Sequence, residues 1–306
     1  MNPAISTNKT KTAKYPTVSI IGAGRLGTAL AIALDSCGYR IEALVARRPG
    51  HARKASKLIS GNCQSLSEDQ LEKLPDSALF LIATPDDAIS GVATSLAKAK
   101  SSNPQRTVLH TSGALSSEVL EPLAARGFHT GSLHPLVSIS DPKQGAGALG
   151  SAFFCVEGDK GALKVAKQIV KDLGARSFSI ESHQKALYHA AAVMSSGHIT
   201  ALFDVTIEML TQCGLDQATA QKVLLPLLES TWRNLTSSAP FEALTGTYAR
   251  GDAETVKRHL AALAATDNAE TLAAYKLLGR RSLKLLAQNG GDLAVIKRIA
   301  GMLNQR

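Results

Sequence analysis

A chain of 306 residues exceeds the roughly 250 to 300 residues over which a single hydrophobic core grows, so two domains are expected. Hydrophobic residues at 44% and charged residues at 19% exclude a disordered or low-complexity chain. The net charge of +9 sits at the two ends, on Lys9, Lys11 and Lys14 and on seven Lys or Arg against Asp292 over residues 276–306; with aromatics at only 4%, this argues against a nucleic-acid partner.

Residues 1–15 are polar and basic and read as a flexible tail without the apolar stretch of a secretory signal. No run approaches 18 apolar residues, so no membrane partner is expected. Cys37, Cys63, Cys155 and Cys213 form no metal-ligand spacing, so no metal is expected, and they read as reduced thiols of a cytoplasmic protein.

From Pro16 to Ile180, short apolar and β-branched runs alternate with helical patterns, the signature of a parallel sheet covered by helices. Strands are predicted at 18–21, 40–45, 79–83, 107–111, 129–133, 153–156 and 176–180. Helices are predicted at 25–36, 51–59, 87–98, 116–126 and 161–173, with one short strand and one short helix over 63–74. After Ile180 the strand signals stop, and helices are predicted at 183–212, 217–234, 253–265, 269–288 and 293–304. Asp216, Asp252, Asn268 and Asp292 are placed as N-caps, and Gly214 and Gly290 as helix ends. The predicted fold is α/β: a Rossmann doubly wound, mostly parallel sheet over 16–180, followed by an all-helical domain over 181–306 for substrate and dimerisation.

The segment Val18-Ser-Ile-Ile-Gly22-Ala23-Gly24-Arg25-Leu26-Gly27 sets a strand, a glycine turn and an amphipathic helix in sequence. Gly22 permits the tight turn, Gly24 lets backbone amides approach a pyrophosphate, and Gly27 lets the helix lie close to the strand. The positive end of the helix dipole then faces the phosphates. Cofactors that carry a free ribose 2′-hydroxyl are held by an acid at the end of the second strand; here Ala46-Arg47-Arg48 stands there instead. Two guanidinium groups suit a 2′-phosphate, which favours NADP over NAD, unless the pair only begins a solvated loop before Pro49. Thr84 and Pro85 end a central strand, where strand termini face the ligand crevice.

Hydride transfer asks the protein for cofactor placement, a proton donor and anchors for the substrate. Ser112 and His134 follow predicted strands and are candidates to orient or protonate substrate, or else to satisfy backbone groups. In the helix beginning His183-Gln-Lys185-Ala-Leu-Tyr188-His189, spacings of four and seven residues put Lys185, His189 and Ser196 on one face. An amine beside an imidazole near a nicotinamide is a candidate acid/base pair, against the alternative of an exposed polar face. His198 falls half a turn out of phase. Arg250, in Arg250-Gly251-Asp252, is a candidate clamp for an anionic substrate or part of a capped loop.

Taken together, these residues resemble NADP-dependent Rossmann proteins with a helical C-terminal domain of unknown function, distant relatives of pyrroline-5-carboxylate reductase and the β-hydroxyacid dehydrogenases. The resemblance runs from Ile20 to about Leu263 and rests on the glycine turn, Thr84-Pro85-Asp86, Thr111-Ser112-Gly113, Leu133-His134-Pro135, Lys185 with Tyr188-His189-Ala-Ala, and Thr245-Gly246 with Arg250-Gly251-Asp252 and His259. It implies that Lys185 matches the catalytic lysine of the β-hydroxyacid dehydrogenases, where an asparagine follows four residues on; His189 occupies that place here. Gly197 stands where many members have asparagine, and Thr247 where proline is common. The resemblance also implies a homodimer formed through the helical domain. The expected function is an NADP-dependent oxidoreductase acting on a small anionic 2-oxo, 3-hydroxy or cyclic imino acid. The alternative is a non-catalytic NADP-binding sensor or scaffold, and a third reading is reduction of another acceptor such as a deazaflavin.

Overall fold

The computed structural model describes residues 15–100, 105–266 and 268–305. The expected tail lies outside these residues except for Tyr15, whose ring stacks on Tyr39 with centroids 4.7 Å apart. The chain forms two compact units, residues 1–197 and 198–306.

In the first unit the elements run β1 (Thr17–Ile21), α1 (Arg25–Ser36), β2 (Arg40–Ala46), α2 (Pro49–Ser56), β3 (Gln64–Ser67), β4 (Leu79–Ile82), α3 (Asp86–Ala99) and β5 (Thr107–His110). They continue with α4 (Glu121–Ala124), β6 (His129–Leu136), α5 (Pro142–Leu149), β7 (Phe153–Gly158), α6 (Lys160–Asp172), β8 (Arg176–Phe178) and α7 (Lys185–Met194). The sheet has strand order β3-β2-β1-β4-β5-β6-β7-β8; it is parallel except where β6 meets β7, with His134 paired to Cys155. This is the Rossmann order, in which the chain reverses direction between β1 and β4 and opens a crevice at their carboxyl ends.

The central strands are apolar along their length because both faces are covered. Ile20 and Leu81 join Leu30, Leu34 and Ile169 in a core on one face, while Ile21, Phe80 and Ile82 meet Ile89, Val92 and Leu96 on the other. Alternate residues of one strand thus supply opposite cores.

Two departures from the predicted elements have local causes. The unpredicted α5 carries two glycines in eight residues, which weakens its pattern, and is held by the Asp141 cap accepting from Lys143 N and Gln144 N, with Pro142 at its first position. The single helix expected over 183–212 is broken between Met194 and Gly197. There Ser195 N and Oγ both donate to the Ala191 carbonyl and Ser196 N donates to Val193 O, a tightened turn followed by glycine. Helical phase counted from Lys185 therefore holds to His189 within α7, while Ser196 and His198 lie past its end. An 18-residue window within Ser182–Gln212 has a mean hydropathy of 1.3, apolar enough by length and composition to cross a membrane although polar residues interrupt it.

The second unit is helical: α8 (Gly197–Gln212), α9 (Gln217–Ser237), α10 (Pro240–Ala243), α11 (Gly246–Ala249), α12 (Ala253–Ala264), α13 (Ala269–Gln288) and α14 (Leu293–Asn304). Asp216, Asp252, Asn268 and Asp292 each accept a backbone N–H as N-caps. Val256, Leu283, Leu286, Ile299 and Leu303 form its core between α12, α13 and α14.

Candidate functional site

The glycine turn is built by close approach. Gly22 has φ +108°, and its N–H and that of Ala23 both donate to Val45 O, at 2.9 and 2.8 Å. A Cβ on Gly27 would lie 2.0 Å from Gly22 O, so only glycine lets α1 sit against the turn. A Cβ on Gly24 meets nothing within 4 Å, because that position faces open space. No side chain caps α1 and its first turn holds no acid, leaving its amides and positive dipole end free for an anion.

That open space is a cavity of about 410 Å³ lined by Gly22, Ala23, Gly24, Arg47, Arg48, Thr84 and Pro85. His51 and Glu68 line it too, two residues that sequence reasoning left without a role. Thr84 Oγ1 is buried without a hydrogen-bond partner. These features fit a dinucleotide: a free helix N-terminus, room over Gly24, an unpaired hydroxyl and two exposed guanidinium groups beyond the end of β2.

A second cavity of about 450 Å³ shares Gly24, Ala83, Thr84 and Pro85 with the first and extends past Arg25 and Leu26 to Ser112, Gly113, His134 and His189. The loop after β5, the body of β6, which runs past the predicted end at 133 and includes His134, and α7 deliver these groups. Gly113 packs between two imidazoles, such that a Cβ there would lie 2.3 Å from His189 Nδ1 and 2.8 Å from His134 Nε2. The two rings meet edge to face with centroids 5.5 Å apart. His189 Nδ1 is buried and has no hydrogen-bond partner.

Lys185 is 1% exposed and does not line the cavity, which sets aside the alternative of an exposed lysine. Its Nζ donates to Ser112 O and to Ser132 Oγ, both at 2.9 Å. Burial lowers its pKa, while Cys155, Glu157 and Asp86 pull the other way. Ser112 is equally constrained: its Oγ accepts from Ala114 N and Leu115 N, and its own N–H donates to His110 Nδ1 at 3.2 Å. The Ser112 hydroxyl thus shapes its own loop first.

His110 is fully buried and completes this anchor, with Nε2 3.2 Å from the Ser116 carbonyl. A carbonyl only accepts, and the Ser112 N–H only donates, so His110 is the neutral Nε2–H form. Burial, reinforced by Lys185, pushes its pKa down to about 4. The same causes, with His189 and His110 added, bring His134 to about 4.

Tyr188 Oη lies 2.7 Å from His134 Nδ1, and Glu157 accepts from Ser117 N, Ser117 Oγ and Ser182 Oγ, tying the turn before α7 to β7. Sequence reasoning gave no role to His110, Tyr188 or Glu157. For Tyr188 a signal existed, since it stands three residues after Lys185 on the same helix. Arg250 belongs to the second unit, where it is exposed at the C-cap of α11, beside the Asp252 cap of α12.

Residues 2–135 match the Rossmann-like domain, and residues 152–282 match the domain of unknown function DUF2520. The second match begins inside the sheet, before β7, so Ser112 and His134 of the cleft fall in one matched segment and His189 in the other. A structure from Bacteroides fragilis, provisionally assigned as an NADP oxidoreductase, is 25% identical with a TM-score of 0.72, covering 89% of this chain and 99% of that one. A protein from Thermotoga maritima is 23% identical with a TM-score of 0.70 over the same shares. Pyrroline carboxylate reductase from Plasmodium falciparum, with NADP bound, is 12% identical with a TM-score of 0.56, covering 96% of this chain and all of that one. No curated protein matches the chain in sequence.

Proposed function

We propose that this chain is an NADP-dependent oxidoreductase acting on a small anionic 2-oxo or 3-hydroxy acid or a cyclic imino acid. The observation that carries the reading is a cleft in the first unit with two unlike ends. Arg47 and Arg48 stand at one end, and Ser112, His134 and His189 at the other, with the glycine turn between them. The NADP bound in the Plasmodium reductase supports the choice of cofactor.

When bound, the nicotinamide supplies or accepts the hydride. The chain's own residues bind and orient. Backbone amides from Gly22 to Gly27 hold the pyrophosphate, Arg47 and Arg48 take the 2′-phosphate, and Thr84 and Pro85 line the middle of the cleft. His134 and His189 face the substrate, while Lys185, one layer behind them, fixes the loop of Ser112. The clamp role of Arg250 rests on its sequence pattern alone. A homodimer belongs to the same proposal: Val223, Leu227 and Trp232 on α9 are 53%, 64% and 61% exposed, an apolar surface that a second copy would cover.

A screen of NADPH oxidation against a panel of oxo acids and imino acids, with NADH as control, tests the reading. Turnover of one class with preference for NADPH is the expected result. Tight NADPH binding without turnover of any acid would instead favour a sensor or scaffold.

A further inference from the structure

His134 presents two ring nitrogens to two different surroundings. Its Nδ1 lies 2.7 Å from Tyr188 Oη, and its Nε2 faces Gly113 on the wall of the cleft. The sheet and α7 create this arrangement together. Antiparallel pairing of β6 with β7 sets Cys155 opposite His134, and the Tyr188 hydroxyl reaches over from α7 to the His134 ring. Phe178 meets the Tyr188 ring edge-on at 5.8 Å and holds it from the other side.

We propose that Tyr188 is a positioning residue whose O–H donates to Nδ1 of His134 and fixes the Nε2–H tautomer, so that this imidazole presents a hydrogen-bond donor to substrate in the cleft.

The choice of donor follows from the partners available. A phenol with an imidazole nitrogen at 2.7 Å and a thiol nearby puts its proton on the nitrogen, because nitrogen is a far better acceptor than sulfur. In the reverse arrangement the phenol proton would be left to sulfur, and the Nε2 lone pair would face the cleft. The groups around His134 keep the ring neutral, so one nitrogen alone carries hydrogen. These are Lys185, His189 and Tyr188 from α7, His110 from β5 and Cys155 from β7; burial and the lysine ammonium dominate, and its pKa falls to about 4. Burial also raises the Tyr188 pKa, which keeps the phenol proton in place. A neutral donor suits the oxygen of a carbonyl or carboxylate and costs no charge in the cleft. The contact with substrate rests on the reading given under Proposed function; the tautomer does not.

The test separates the two. Long-range proton–nitrogen correlation spectra of the uniformly ¹⁵N-labelled full chain, with and without NADP⁺, report each imidazole tautomer, and His134→Gln assigns the His134 signals. The expected result is a single Nε2–H form for His134 near neutral pH, with Tyr188→Phe producing a mixture or the Nδ1–H form. An Nδ1–H form in the unaltered protein overturns the proposal, as does an unchanged tautomer in a folded Tyr188→Phe variant. If that variant fails to fold, the spectrum of the unaltered protein decides alone. With a substrate from the oxidation screen, Tyr188→Phe lowers turnover roughly tenfold, the effect of one well-placed hydrogen bond, while NADPH affinity stays unchanged. Equal turnover would overturn the link to substrate.

Discussion

The Lys185 ammonium donates to the Ser112 carbonyl at 2.9 Å, joining α7 to the loop that follows β5. The same Nζ bonds to Ser132 Oγ, so one buried cation joins the loop after β5 to the middle of β6 behind the cleft. Lys185→Met preserves length and removes the donor. Turnover should fall by about tenfold or more, because the Ser112 loop loses its anchor and the groups on the cleft wall shift, with NADPH affinity nearly intact. Stability should fall as well, by roughly 1–3 kcal/mol, because buried acceptors lose their partner. Kinetics, NADPH titration and thermal melting measure the three separately, and unchanged turnover would remove Lys185 from the site.

Cofactor choice should follow Arg47 and Arg48. Replacing both with Ala should weaken NADPH binding by tenfold or more, since a charge-assisted hydrogen bond contributes roughly 1.5–3 kcal/mol. NADH binding should change little. Parallel titrations with the two dinucleotides check this, and equal losses for both would argue that the arginines do not meet a 2′-phosphate.

Two glycines of the turn should respond in opposite ways. Gly24→Ala adds a methyl group into open space, so the fold survives while the pyrophosphate loses its approach. Gly27→Ala drives a methyl group into Gly22 O and damages packing before any ligand is added. Melting curves with and without NADP⁺ distinguish them: Gly24→Ala keeps its melting temperature and loses the shift on ligand addition, whereas Gly27→Ala melts earlier without ligand.

Much of this site was legible because its chemistry is local in sequence. The glycine turn, the arginine pair and the spacing of Lys185 with His189 lie within single elements and follow turn rules or helical periodicity. What was not legible depends on long-range packing. His110 reads as an ordinary strand residue until Ser112 and Ser116 fold around it, and Tyr188 gains its meaning only from His134, 54 residues earlier. Helical phase carried Lys185 to His189 but not beyond Met194, where α7 ends before α8 begins at Gly197.

Gly113→Ala tests the crowding between the imidazoles. The added methyl group meets His189 Nδ1 and His134 Nε2 and must push one ring aside. Activity should drop by tenfold or more, with NADP⁺ binding retained at the far end of the cleft, since misplacing a polar group by about an ångström costs on this scale. Retention of full activity would mean that the two rings need not stay where they are.

Acid should destabilise the protein in a window set by its buried histidines. His110 takes up a proton in the folded state only near pH 4, whereas in the unfolded chain it does so near ~6.5. Between those values the unfolded state binds more protons, so stability is fully present above about pH 6.5 and is lost as pH falls toward 4. For His110 the loss is on the order of 3 kcal/mol. His134 acts in the same direction. Unfolded carboxylates take up protons mainly near ~4, so the upper part of the window belongs to histidine. Denaturant unfolding at pH steps from 7 to 4 should show this slope. His110→Asn should flatten it, even though the variant starts less stable for want of the bonds to Ser112 and Ser116. A slope left unchanged by that substitution would mean that His110 already carries its proton in the folded protein, and the neutral anchor behind the cleft would have to be abandoned.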